Sequence, residues 1–367
     1  MFNVSDITTI DIESINNCNA KCPLCLRGTG MNTNDSLDWS RVIANTPKEL
    51  WTSVEKINFN GTTGDNLMHH NIRQIVDWCM NNSNASITIN TNGSLRDTDW
   101  WRDFGMLCKP HNHKVVFGID GLEDTHAIYR IGTSYNKIIN NAKAFIHGGG
   151  RAYWQFIIFD HNAHQVEQAQ QLANELGFEK FFVLYQDRFA DNAAVPVQRF
   201  DENLKQIKAE VVVKETSNDL IRRLSESNRD INCRSKQIGW ISIYADGTVW
   251  PCCWLMGWHR ANHQKPAAVI NYHFQKILKL DLDLISLYNN TLDEIIIFTD
   301  CVFWLLSHNK LFKNNCKILK QQTKFSNKNN LLDLNEKLML LNSIILFLEN
   351  EKQYLFTKHV FKIGRAH

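Results

Sequence analysis

Hydrophobic and polar positions follow two alternating periods along the first half of the chain. Short apolar or alternating runs predict strands over 7–12, 56–60, 86–90, 114–119, 154–159 and 181–184. Between them, apolar residues recur at helical spacing. A helix is predicted over 37–44, with Asp35 or Ser36 as its cap. Ile72, Ile75, Val76 and Cys79 mark the next, 97–107 another, and Ile138, Ile139, Ala142 and Phe145 a fourth, closed by the glycines 148–150. A last one runs over 166–176 and stops at Gly177. Strand then helix, repeated, predicts an α/β fold with a parallel sheet. In such barrels the loops after the strands form the active face. The loop after the first strand, Gly61 to Asp65, Asn92-Gly93 and Asp120-Gly121 should therefore converge. Each of those glycines, taken singly, is also ordinary turn chemistry.

The pattern changes beyond Asp187. Residues 188–230 are polar and helical, rich in Asn, Glu, Lys and Arg. Two short strands follow, 241–244 and 248–250, with Ala245-Asp246-Gly247 as a hairpin turn. Residues 290–296 begin a helix. From Ile297 the apolar residues keep no sustained period, and no glycine or proline occurs between Pro266 and Gly364.

Composition narrows the class. A chain of 367 residues with 44% hydrophobic content can bury a real core. Net charge is +2 with no basic run, so nucleic acid is not an implied partner. No signal peptide opens the chain, and the best apolar run, 338–348, is broken by Asn342 and Ser343, so no membrane span is expected. Ten cysteines without a secretory signal point to a reducing, cytoplasmic setting and to metal or redox use.

The chemistry-bearing stretch follows the first strand: Cys18-Asn-Ala-Lys-Cys22-Pro-Leu-Cys25, a C-x3-C-x2-C spacing. Fe–S clusters are held by Cys thiolates, usually four. Three thiolates leave one iron of a 4Fe–4S cluster open to bind a small molecule. A zinc site is the competing reading. It favours a C-x2-C pair answered by a second Cys or His pair, and none follows within the next forty or so residues.

This signature resembles that of the radical S-adenosylmethionine (SAM) enzymes, over roughly residues 7–190. The resemblance implies a partial (β/α)6 TIM-like barrel, a 4Fe–4S cluster on Cys18, Cys22 and Cys25, and SAM on its open iron. The family's second strand usually ends in G-G-E-P. Here the stretch is Gly61-Thr-Thr-Gly64-Asp65-Asn66, with Gly64 in register, Asp65 in the acidic place and no proline. Asn92 resembles the third-strand residue near SAM. Gly118-Ile-Asp120-Gly121 to Arg130 resembles the S-x-D-G…R stretch, with Gly118 replacing the serine. Gly61, Gly64, Asp65, Asn92, Asp120 and Arg130 are thus the expected SAM-binding residues. A surface ion pair of Arg130 with Glu123 or Asp124 is the alternative for that side chain.

A second metal region resembles the start of a SPASM or twitch extension. Cys233, Gly247 and Cys252 fall in its C-x13-G-x4-C register, with Cys253 next in the chain, which implies an auxiliary 4Fe–4S cluster. The four-Cys group that completes SPASM domains is missing, so a small twitch-like domain built on the hairpin is expected. The alternative is a hairpin with buried thiols. The expected division is a barrel over 1–190, a helical linker over 191–230, the twitch-like region over 231–296 and a doubtful tail over 297–367. The final Lys362-Ile-Gly-Arg-Ala-His367 back-translates to a common sequencing-adapter read. The tail is therefore expected to be out of frame, the competing reading being an amphipathic helical tail.

The expected activity is reductive cleavage of SAM to a 5′-deoxyadenosyl radical that takes hydrogen from a peptide or protein side chain. A flavodoxin- or ferredoxin-type electron donor is implied. A small-molecule radical SAM enzyme and a non-enzymatic zinc or Fe–S protein are the rivals. No residue is assigned as substrate base or hydrogen donor.

Overall fold

The computed structural model describes residues 3–23, 25, 34–62, 64–110, 112–184, 238–250 and 285–296. The chain divides into two compact units, Met1–Ser307 and His308–His367, and all described residues lie in the first. The expected linker, Cys233, Cys252, Cys253 and the tail lie outside the described residues.

Six parallel strands alternate with helices: β1 (Thr9–Ile12), β2 (Lys56–Phe59), β3 (Ser86–Thr91), β4 (Lys114–Gly118), β5 (Arg151–Ile157) and β6 (Lys180–Leu184). They lie in chain order, each paired with the next. The helices are α1 (Trp39–Ala44), α2 (Lys48–Ser53), α3 (Ile72–Asn82), α4 (Thr98–Cys108), α5 (His126–Tyr129), α6 (Tyr135–His147) and α7 (Val166–Glu175). This is an α/β fold with the strand order of a partial TIM barrel.

The described hairpin of the 231–296 region continues this sheet. Strand β7 (Trp240–Ile243) runs parallel to β1 in register from Thr9↔Trp240 to Ile12↔Ile243, and β8 (Val249–Trp250) pairs with it antiparallel. Strand β1 is thus enclosed between β2 and β7, and all four of its residues are buried.

Neighbouring strands in register present alternate side chains to opposite faces. One face is apolar. Ile10, Ile12, Ile57, Phe59, Ile87 and Ile89 join a core with Ile72 and Val76 of α3. The other face is polar, carrying Asp11, Asn58, Thr88, Asn90 and Ser242. A TIM barrel usually fills that space with branched aliphatics.

Boundaries differ from expectation where local hydrogen bonding decides them. The cap of α1 is Asp38, not Asp35 or Ser36, because its carboxylate accepts from the Ser40 and Arg41 amides. Ser36 is instead drawn into a bridge with Ile15. Strand β5 begins three residues early, at Arg151, because its first residues pair with Lys114 to Val116 of β4.

Candidate active site

The Cys loop leaves β1 at its carboxyl end, where the loops after β2, β3 and β4 meet it. Gly64 makes the closest approach. A Cβ there would lie 2.1 Å from the Ile15 carbonyl oxygen and 2.7 Å from that of Asn17. No other residue fits between the two loops, and the next amide, Asp65 N, donates to the Asn17 carbonyl at 2.8 Å. Gly61 lies more openly, beside the Gly64 and Asn90 carbonyls.

Asp65 is fully buried and its carboxylate ties the loop after β2 to β3. It accepts from Leu67 N, Thr91 Oγ1 and Asn92 N at 3.0, 3.0 and 2.8 Å. Burial pushes its pKa up, and these donors oppose that. Asn92, positioned this way, donates from Nδ2 to Asn19 Oδ1 at 2.9 Å and to Cys18 Sγ at 3.6 Å.

Asp120 and Arg130 form a second tie. Arg130 Nε donates to Asp120 Oδ2 at 2.6 Å, with the Asp120 side chain fully buried and that of Arg130 16% exposed. The partner is therefore neither Glu123 nor Asp124, which accept from Asn136 and Gln165. Asp120 Oδ1 also accepts from Ile157 N at 2.7 Å, joining β4 to β5. Arg130 Nη1 points to Cys22 Sγ at 3.8 Å. Burial pushes the Cys22 thiol up, and the guanidinium opposes it.

Gly118 allows this arrangement. A Cβ there would sit 2.5 Å from Arg130 Nη2. The serine of the related pattern would push the pinned guanidinium off its place. We expect Gly118→Ser to lower the melting temperature by several degrees, as an overpacked contact of ~1–3 kcal/mol does. An unchanged thermal melt would show that Arg130 moves aside freely.

The sequence reading missed Glu13, whose buried carboxylate accepts from Thr62 N at 3.0 and 3.1 Å. It also missed Asn66, which accepts from Ser14 N and Oγ at 3.0 and 2.7 Å and donates to the Asn60 carbonyl. A lone acid or amide beyond a strand end carries no spacing signal.

Cys18, Cys22 and Cys25 form no disulfide and are each partly buried, with Cys25 N donating to the Cys22 carbonyl at 3.1 Å. No three potential ligands converge on one metal ion among the described residues. Two N–H donors, on Asn92 and Arg130, face the sulfurs and would offset thiolate charge. Three thiols on one loop, with these two donors beside them, form a set that an Fe–S cluster would fit.

Deeper on the polar face, Asp11 accepts from Asn58 Nδ2 at 2.9 Å. Burial raises its pKa to about 6, against the opposing pull of the Asn58, Trp240 and Asn60 side chains. A carboxyl raised in the fold adds stability below its unfolded pKa, lost as pH rises through 6. Ionised Asp11 thus costs the fold about 3 kcal/mol at neutral pH. Asp11→Asn should unfold at higher urea than the parent at pH 7.5 and match it near pH 4. A variant less stable at pH 7.5 would refute this cost.

No protein-family model matches this sequence. No curated protein sequence matches it either. Among solved structures, the chain is similar to Streptococcus suis SuiB bound to S-adenosylmethionine, at 16% identity and TM-score 0.45, covering 77% of this chain and 67% of that one. It is also similar to anSMEcpe with bound AdoMet and a peptide, at 13% identity and TM-score 0.49, covering 79% of this chain and 80% of that one. These neighbours are radical SAM enzymes. The likeness is one of fold, and the chain spans about two thirds of the length of SuiB. Among the described residues, no helix is long and apolar enough to cross a membrane.

Proposed function

We propose that the chain is a radical SAM enzyme that reductively cleaves S-adenosylmethionine and abstracts hydrogen from a peptide or protein side chain. The observation that carries this is the placement of Cys18, Cys22 and Cys25 on the loop after β1, with Asn92 and Arg130 donating toward two of the three sulfurs. When bound, the cluster supplies the electron that breaks the sulfonium bond of SAM.

The chain's own residues have positioning roles in this reading. Gly64 lets the loop after β2 lie against the Cys loop, so backbone groups near Gly61 and Gly64 can receive the SAM amino group. Asp65 holds Asn92, and Asp120 holds Arg130. Arg130 lies where a carboxylate of SAM could be met by a charge-assisted hydrogen bond. The neighbouring loops exclude water from the reacting atoms. The peptide class of substrate rests on the resemblance of Cys233, Gly247, Cys252 and Cys253 to the extension that carries an auxiliary 4Fe–4S cluster. The peptide-bound neighbours agree with this choice but do not carry it.

Anaerobic reconstitution tests the proposal. About four irons should be bound by the three-Cys site, and dithionite should drive release of 5′-deoxyadenosine from SAM. Bound zinc without iron, or iron without cleavage, would overturn it. Candidate peptides against small metabolites, offered as hydrogen donors, then decide the substrate class.

A further inference from the structure

We propose that Asp11, Trp240 and Ser242, on the polar inner face of the sheet, form a binding site for a cationic group, occupied by a lysine or arginine side chain of the peptide substrate. The identity of the occupant rests on the function proposed above; the site itself does not.

The register brings the three residues together. Asp11 is paired with Ser242 across β1 and β7, and Trp240 is paired with Thr9 one step along the same face. Asp11 Oδ2 and Ser242 Oγ are buried without an aligned hydrogen-bond partner, and Trp240 Nε1, also short of an aligned bond, lies toward the Asp11 carboxyl. Folded proteins leave few such atoms unpaired, and each one calls for an explanation. The Asp11 carboxylate and the Ser242 hydroxyl, on a face that a barrel usually fills with aliphatic side chains, mark a place built to receive a donor.

Charge selects the ligand. Asp11 is 1% exposed, and none of the ion pairs among the described residues includes it. A buried carboxylate without a counter-charge is costly unless it is paired. An ammonium or guanidinium would donate to Oδ2 and to Ser242 Oγ together. The Trp240 side chain donates toward the same carboxyl and fixes its orientation. Asn58, Asn60 and Asn90 are half-buried and share this face, leading from Asp11 to the strand ends where the Cys loop lies. A long cationic side chain could extend along this row while its backbone stays near the reacting atoms.

The test is calorimetric titration of the full-length protein, purified without oxygen. The probes are the N-acetyl methylamides of lysine, arginine, norleucine and glutamine. At least one cationic probe should bind ten times or more tighter than norleucine or glutamine, and whichever it is names the side chain. In Asp11→Asn that preference should vanish. Norleucine or glutamine binding as tightly as the cations would overturn the site, as would a preference that survives in Asp11→Asn, or no binding of either cation at 10 mM concentration, on the order of the weakest specific contacts. Should the variant fail to fold, the ranking in the parent protein still decides. Cleavage of SAM without cationic preference would sink this inference alone. Cationic preference without cleavage would leave the site and remove the proposed function.

Discussion

Alanine at Cys18, Cys22 or Cys25 is expected to abolish 5′-deoxyadenosine release from SAM, each change singly. The drop should exceed about a hundredfold, the upper range for losing only an outer-shell partner of a metal ligand. The fold should survive. The three thiols are only partly buried, and their loop lies beyond the core strand β1. Far-ultraviolet circular dichroism and the urea midpoint should therefore change little while iron content falls. Cys79 and Cys108 serve as controls. Both are buried, and burial pushes the Cys79 thiol far up and that of Cys108 to about 12, so neither readily supplies a thiolate. Cys108→Ala should cost some stability and leave cleavage intact. Equal cleavage by any of the three loop variants and the parent would end the cluster assignment.

Legibility in the sequence tracked how local the cause is. The six barrel strands follow from runs of alternating or apolar residues, and the structure places all six in chain order. The loops at their carboxyl ends meet as the strand–helix repeat predicts, because parallel strands put all those ends on one side. The short helices α2 and α5 were missed, since six and four residues carry too little periodicity. Long-range pairing was less legible still. Nothing within 240–243 announces that it lies beside β1, some 230 residues earlier in the chain. The same limit hid the partner of Arg130. Glu123 and Asp124 are nearer in sequence, but both are exposed at the start of the following turn. Asp120, at the end of β4, is buried where the guanidinium folds back. Gly118, which stands where the related pattern has serine, leaves the space that guanidinium occupies.

The Asp120–Arg130 pair should prove the most costly single tie to break. Asp120→Ala leaves the guanidinium buried without its counter-charge, a loss of roughly 3–5 kcal/mol where one partner of a buried pair is removed. It also strands the Ile157 amide, which donates to Asp120 Oδ1 at 2.7 Å. The damage should spread to the Cys loop. Lys21 N donates to the Ile131 carbonyl at 2.8 Å, so displacement of Arg130 and its neighbours would reach the segment between Cys18 and Cys22. Urea unfolding should show a large fall in midpoint, with iron retention reduced in parallel. Asp120→Ala combined with Arg130→Ala should cost less than the sum of the two single changes, because the stranded charge is removed with its partner. Additive losses in that cycle would mean that the two side chains touch without stabilising each other. The link from Asp120 through Arg130 to Cys22 would then have no energetic content.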